Sequence, residues 1–220
     1  DEKIKGFKDA RTVGWAFKKL LANGKKCFNH NIEAAYIRNN MEKERISCVP
    51  EGKSIRYERD EKKYLPKALW FDHDWNEIGE KRFREAKFAR LDRSKPSPTI
   101  VTGRTMYYHP TKNRYLTPRE AAAIQSFPAN FEFKGSIASQ WTQIGNAVPP
   151  LMAEKIGECI IKMMKNKKSK VRVETSRLLA AFGTGKSAPA LTLAAKDADT
   201  AVAKAASNAL EIIRKRNQSQ

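Results

Sequence analysis

The chain has 220 residues, 40% of them hydrophobic, which suits one ordinary domain or two small ones with a modest core. Its 43 Lys+Arg against 24 Asp+Glu give a formal net charge of +19, and that excess calls for a polyanionic partner, nucleic acid first. Cys27, Cys48 and Cys159 lie far apart, so a disulfide framework or a zinc cluster is not expected, and a reducing, cytoplasmic setting fits. There is no signal peptide and no apolar run near about 18 residues, so no membrane partner is expected.

Val13, Ala16, Phe17, Leu20 and Leu21 fall at helical spacing, and Asn23-Gly24 signals a turn. A second helix is predicted over 31–46, with Ile32, Tyr36, Ile37 and Met41 along one side, broken by Pro50-Glu51-Gly52. Residues 53–90 mix polar, charged and aromatic positions without a strong period. Short strands and loops are expected there, with Trp70, Phe71 and Trp75 as a small local core. Pro96, Pro98, Gly103 and Pro110 surround Thr-Ile-Val-Thr and Thr-Met-Tyr-Tyr, which predicts two short strands joined by a turn.

Thr117-Pro118-Arg119-Glu120 is a helix start: Thr117 caps, Pro118 suits the first helical position, and Glu120 completes a capping box. Phe127-Pro128 ends that helix. After Pro149-Pro150 another helix is predicted to about Lys165, burying Leu151, Met152, Ile156, Ile160, Met163 and Met164. Lys165–Lys170 reads as a basic linker. The remaining residues are Ala-rich, with apolar patches at Leu178–Phe182, Leu191–Ala194 and Val202–Ile213, and resemble one and a half helical repeats of the HEAT type. His30, His73 and His109 stand alone. Asp72-His73-Asp74 suits either a metal or general base, or a plain polar loop.

Arg-Tyr-Leu-Thr-Pro-Arg-Glu-Ala-Ala-Ala-Ile-Gln-Ser-Phe-Pro at 114–128 resembles the ninth sequence motif of the DNA (cytosine-5)-methyltransferases. Gln-Ile-Gly-Asn-Ala-Val-Pro-Pro at 143–150 resembles the tenth, and Arg90 to Ile100 resembles the segment closing the family's target-recognition region. The resemblance covers roughly residues 10–165. It implies an α/β fold: a small mixed recognition domain, C-terminal helices of a Rossmann-like S-adenosylmethionine-dependent core, and an α-helical tail. The implied parts are a lead-in helix at 1–30, target recognition at 31–112, a C-terminal core segment at 113–166 and the HEAT-like tail at 167–220.

By resemblance Asn146 and Ala147 lie beside S-adenosylmethionine; the residue reading leaves open a simple Gly-Asn turn before the Pro-Pro helix start. Arg119 is implied to be structural, with a phosphate contact as the alternative, and Glu120 shares its helix start. Thr99 matches a position near the flipped nucleotide's backbone, and Thr102, Gly103, Arg104 and Thr105 follow on a loop. Arg104 suits guanine recognition or phosphate neutralisation alike. Arg82 and Arg84, with Lys81, Lys87 and Arg90, form a further basic cluster that reads as DNA contact or solvated loop.

Family chemistry flips a cytosine out of double-stranded DNA, attacks C6 with a Cys that follows Pro, and holds N3 with a Glu that precedes Asn-Val. Here the cysteines follow Lys26, Ser47 and Glu158, and no Glu-Asn-Val or Gly-rich cofactor turn is present. The paired-arginine motif that precedes the recognition region is also missing, and the first residue is Asp, so the chain is expected to begin just after that motif. A fragment and a natural second subunit of a split enzyme both fit, each needing an N-terminal half that carries Pro-Cys. The expected setting is prokaryotic or phage restriction–modification, nucleoid-associated. The rival readings are a catalytically inactive sequence-specific DNA-binding module and a general basic nucleic-acid-binding protein.

Overall fold

A computed structural model describes residues 11–22, 27–72, 75, 88–103 and 107–218. The chain divides into two compact units, Asp1–Pro150 and Leu151–Gln220. Among the described residues the regular elements are helices and no strand forms, which overturns the expectation of an α/β fold with a mixed recognition domain. What stands in place of the predicted strands is a set of single bridges, Tyr36 to Arg114, Arg90 to Tyr108 and Tyr108 to Tyr115. Pro96 and Pro98 bring no N–H to a ladder, so pairing cannot extend along the stretch before Ile100. Tyr108 is held by one rung on each side and by ring stacking, with Phe88 at 5.8 Å and Tyr115 at 4.9 Å between centroids.

The first unit holds α1 (Val13–Ala22), α2 (Asn40–Cys48), α3 (Glu58–Tyr64), α4 (Pro118–Ile124) and α5 (Ile137–Asn146). Its main core gathers Val13 from α1, Leu91 and Ile100 from the loops, Ala121 and Ala122 from α4, and Trp141 and Ile144 from α5. The predicted helix over 31–46 is instead a short 3-10 turn at Glu33–Ala35 followed by α2. Asn39 starts α2 by accepting the Glu42 N–H at 3.0 Å, and Tyr36 is extended ahead of it. Ile37 is buried but Ile32, Tyr36 and Met41 are exposed, so the predicted apolar side does not exist as one face.

Residues expected as strands and loops include α3, at whose start Asp60 accepts the Tyr57 N–H at 3.1 Å. The buried Glu61 of α3 accepts the Phe71 N–H at 2.5 Å and the Trp75 indole N–H at 2.7 Å, and Arg45 lies 4.1 Å over the Phe71 ring. A buried carboxylate thus organises the small aromatic cluster that the sequence suggested there.

The second unit contains α6 (Pro150–Met164), α7 (Ser169–Phe182), α8 (Ala188–Ala194) and α9 (Thr200–Gln218). Leu191, Val202, Ala206, Ala209 and Ile213 form its core with Met164 and Leu179. Burial of each large aliphatic side chain contributes about 1.5–3 kcal/mol. Small alanines on α9 let the neighbouring helices approach closely. In α6 only Met164 of the predicted buried set is buried; Ile160 is partly buried, and Met152, Ile156 and Met163 are exposed.

Candidate functional site

The Thr117–Glu120 capping box forms: Thr117 Oγ1 accepts the Glu120 N–H at 3.1 Å, and Glu120 Oε2 accepts the Thr117 N–H at 2.8 Å. That start sets Arg119 pointing inward, where it is fully buried. Its guanidinium donates to the Phe28 and Pro128 carbonyls at 2.8 Å each and to the Phe131 carbonyl. The Arg119 N–H meets the Asn29 carbonyl at 3.2 Å, and the Asn29 amide pairs at both ends with the Phe133 backbone, at 2.8 and 2.9 Å. Two loops far apart in sequence are therefore tied to the first turn of α4.

Glu120 itself takes two bonds from Arg114, at 2.6 and 2.8 Å. Burial pushes its carboxyl up, but the Arg114 guanidinium and the Thr117 N–H outweigh burial and hold it below the ordinary carboxylate range. His109 stands beside this pair, its Nε2 3.7 Å from Glu120. Its Nδ1 accepts from the Thr111 and Lys112 N–H groups at 3.1 Å, and its ring stacks on Phe17 at 5.3 Å. Burial holds the imidazole down to about 4, against the pull of Glu120. Arg90, which the sequence grouped with the basic cluster, is buried instead and donates to the carbonyls of Ile46, Val49, His109 and Lys112 and to Asn113.

The motif-bearing segments meet at Gly145. A Cβ there would lie 2.6 Å from the Thr102 N and 2.7 Å from the Val101 carbonyl carbon. Only glycine lets the C-terminal turn of α5 rest directly on segment 101–102. Gln125 adds a tie from the end of α4, donating to the Ile144 carbonyl at 2.8 Å. Beside this junction opens a cavity of about 440 Å³, lined by Thr12, Trp15, Thr99, Ser126, Gly145 and Ala147 among others. That volume falls in the range of small-ligand sites, roughly 300–1,000 Å³.

Of the residues singled out from the sequence, Thr99 and Ala147 line this one cavity. Asn146 ends α5, exposed, and Thr102 and Gly103 are exposed on the adjoining segment. Arg104, Thr105, Arg82 and Arg84 lie outside the described residues, as do Lys81, Lys87, His73 and Asp74. The sequence reading missed Arg114, His109, Gln125, Ser126 and Trp15. Ser126 carries φ 67°, a conformation unusual for a residue with a side chain, and the following Phe127-Pro128 was the available signal.

The cavity fits one wall of an S-adenosylmethionine site. Trp15, Pro96 and Ala147 offer apolar surface, and the exposed Asn146 stands between the lining residues Gly145 and Ala147 in sequence. Ribose hydroxyls and a ligand ammonium call for carboxylates, and none lines the cavity among the described residues. No group of His, Cys, Asp and Glu that could hold a metal forms among the described residues.

These segments carry, in chain order, the stretches that resemble motifs of DNA-modifying methyltransferases. The C-5 cytosine-specific DNA methylase family matches residues 5–162, and the chain belongs to it. The type II methyltransferase M1.HphI of Haemophilus parahaemolyticus is 45% identical over 80 residues, covering 36% of this chain and 22% of that protein. M.PspPI of a Psychrobacter species is 39% identical over 128 residues, 54% of this chain and 28% of that protein. M.AquIB of a Picosynechococcus species is 39% identical over 85 residues, 33% of this chain and 61% of that protein. The chain thus matches only part of the length of each relative. The family acts on DNA and uses S-adenosylmethionine generally. No helix among the described residues is long and apolar enough to cross a membrane.

Proposed function

We propose that this chain is the C-terminal, target-recognising portion or second subunit of a DNA (cytosine-5)-methyltransferase and works with an N-terminal half that carries Pro-Cys. The observation that carries this reading is the Gly145 junction. It sets the Thr99–Thr102 segment, the DNA-facing candidate, against the helix end that bears Asn146 and Ala147, the cofactor-facing candidates. In the complete enzyme S-adenosylmethionine supplies the methyl group, and the attacking Cys and the Glu at N3 of the flipped cytosine come from the other half. Here Thr99 faces the backbone of the flipped nucleotide, Thr102, Gly103, Arg104 and Thr105 read the target, and Arg82 and Arg84 neutralise phosphate. Asn146 and Ala147 close one side of the methyl donor's site. Arg119 and Glu120 position these segments without touching substrate.

A second observation supports a missing partner. Met152, Ile156, Cys159 and Met163 on α6 recur at i, i+4, i+7 and i+11, one stripe of the helix, and all are exposed. An apolar stripe of this kind is a surface for another chain or segment. M.AquIB is a short methyltransferase chain, since 85 aligned residues span 61% of it.

The test is methyl transfer from labelled S-adenosylmethionine to duplex DNA, with this chain alone and then mixed with an N-terminal half that carries Pro-Cys. The expected result is activity in the mixture only. Activity from this chain alone would overturn the division of labour. Sequence-specific binding without activity in either sample would mark an inactive recognition module.

A further inference from the structure

Lys165, Lys167, Lys168 and Lys170 crowd the turn between α6 and α7, and Lys196 lies on the turn between α8 and α9. One guanidinium locks these turns together. Arg172 donates to the Asp197 carboxylate at 2.8 and 3.0 Å, and to the Asn166 and Lys167 carbonyls at 2.6 and 3.0 Å. The result is a single rigid end of the helical unit with five exposed ammonium groups. None of the five makes an ion pair among the described residues. The carboxylates on this end are already engaged: Asp197 by Arg172, and Asp199 by Ser169 and by the Ala201 and Val202 N–H groups at 2.9 and 3.3 Å.

The lysines also sit where they weaken the fold. Lys168 holds the N-cap position of α7 without any side-chain bond, Lys170 falls in the first turn, and that turn has no acidic residue. Helix starts favour Ser, Thr, Asp or Asn and negative charge. Lysine ammonium groups set near the positive end of a helix, with the neighbouring carboxylates already engaged by Ser169 and Arg172, are suited to an anion outside the chain. The sole aromatic residue of this unit, Phe182, is at the opposite end of α7, so no ring here offers a stacking platform for unpaired bases.

We propose that this end of the helical unit docks on the phosphate backbone of duplex DNA outside the target sequence. The inference rests on the methyltransferase reading above, which brings duplex DNA to the chain. The surface gives affinity without sequence preference, because ammonium groups on flexible stems meet phosphates as point charges.

The test replaces all five lysines with Gln in the full chain and follows binding to a mixed-sequence duplex through a salt titration. Each phosphate contact contributes about 0.9 to the slope of log K against log salt, so the slope should become shallower by about 3–4 and binding at low salt at least about tenfold weaker. Lys186→Gln, on the turn at the other end of α7, should leave the slope in place. Lys168→Asp separates binding from folding: it should raise thermal stability through a better cap while weakening DNA binding. An unchanged slope in the Gln variant overturns the inference, as does tighter binding of single-stranded RNA than of duplex through the same lysines. If the slope is unchanged while the mixture with the catalytic half still methylates DNA, this inference alone falls. If the wild-type chain neither binds duplex nor supports methyl transfer, the functional reading falls with it.

Discussion

Among the described residues from 27 to 133 loop predominates, and three buried guanidinium groups, Arg90, Arg114 and Arg119, cross the interior there. From residue 151 onward the chain is helix against helix, and the interior is Leu191, Val202, Ala206, Ala209 and Ile213. The difference follows from where backbone carbonyls find donors. Helices satisfy their own, so the second unit can fill its core with aliphatic groups. Irregular loops leave carbonyls facing inward, and a guanidinium with five N–H donors gathers several at once without the need for a counter-charge at each. Arginine thus joins the helices as an organiser of the first unit, holding the loops between them.

Substitutions at matched depth in the two units test this contrast. Arg119→Met keeps the length and removes the donors, leaving the Phe28, Pro128 and Phe131 carbonyls unpaired; a loss of about 4 kcal/mol or more is expected, read by chemical denaturation. Leu191→Ala in the second unit removes a fully buried side chain and should cost about 3 kcal/mol, with a hydrogen-exchange signature centred on α7, α8 and α9.

Acid should separate the units further. Glu120 is held below the ordinary carboxylate range, so its contribution is present above that range and is lost as pH falls through its folded value. His109 acts in the same direction: unfolded it takes up a proton near 6.5, folded only near 4, so stability falls as pH drops across that window. His109→Asn retains an acceptor for the Thr111 and Lys112 N–H groups and should reduce the slope of stability against pH by about one proton between these values. The smallest effect expected is that of Thr117→Ala, about 1 kcal/mol from the lost cap, measured by thermal melting.

The helix starts were the most legible part of the sequence. Thr117, Pro118 and Glu120 act within one turn, so spacing alone reveals them, and the Pro149-Pro150 start of α6 is local in the same way. The failures came from longer range. Two strands were expected around residues 91–110, yet Tyr108 finds its partners only singly, and nothing local announces that a ladder stops after one rung. Arg90 read as one of several surface cations, because its five acceptors come from residues 46 to 113. The apolar positions of α6 read as core by type, whereas the structure leaves Met152, Ile156 and Met163 outside. At the candidate site the motifs pointed to Thr99 and Ala147, but that the two share a cavity depends on how α4 and α5 fold back, which spacing does not encode.

At Gly145 two main chains touch with no side chain between them. Side chains act as cushions, since their torsions absorb small displacements before these reach the next segment. This joint has no such cushion, so α5 and residues 101–102 bear directly on each other. A change at the helix end beside the cavity must therefore be taken up by the backbone of α5 or of residues 101–102, not by side-chain torsions between them.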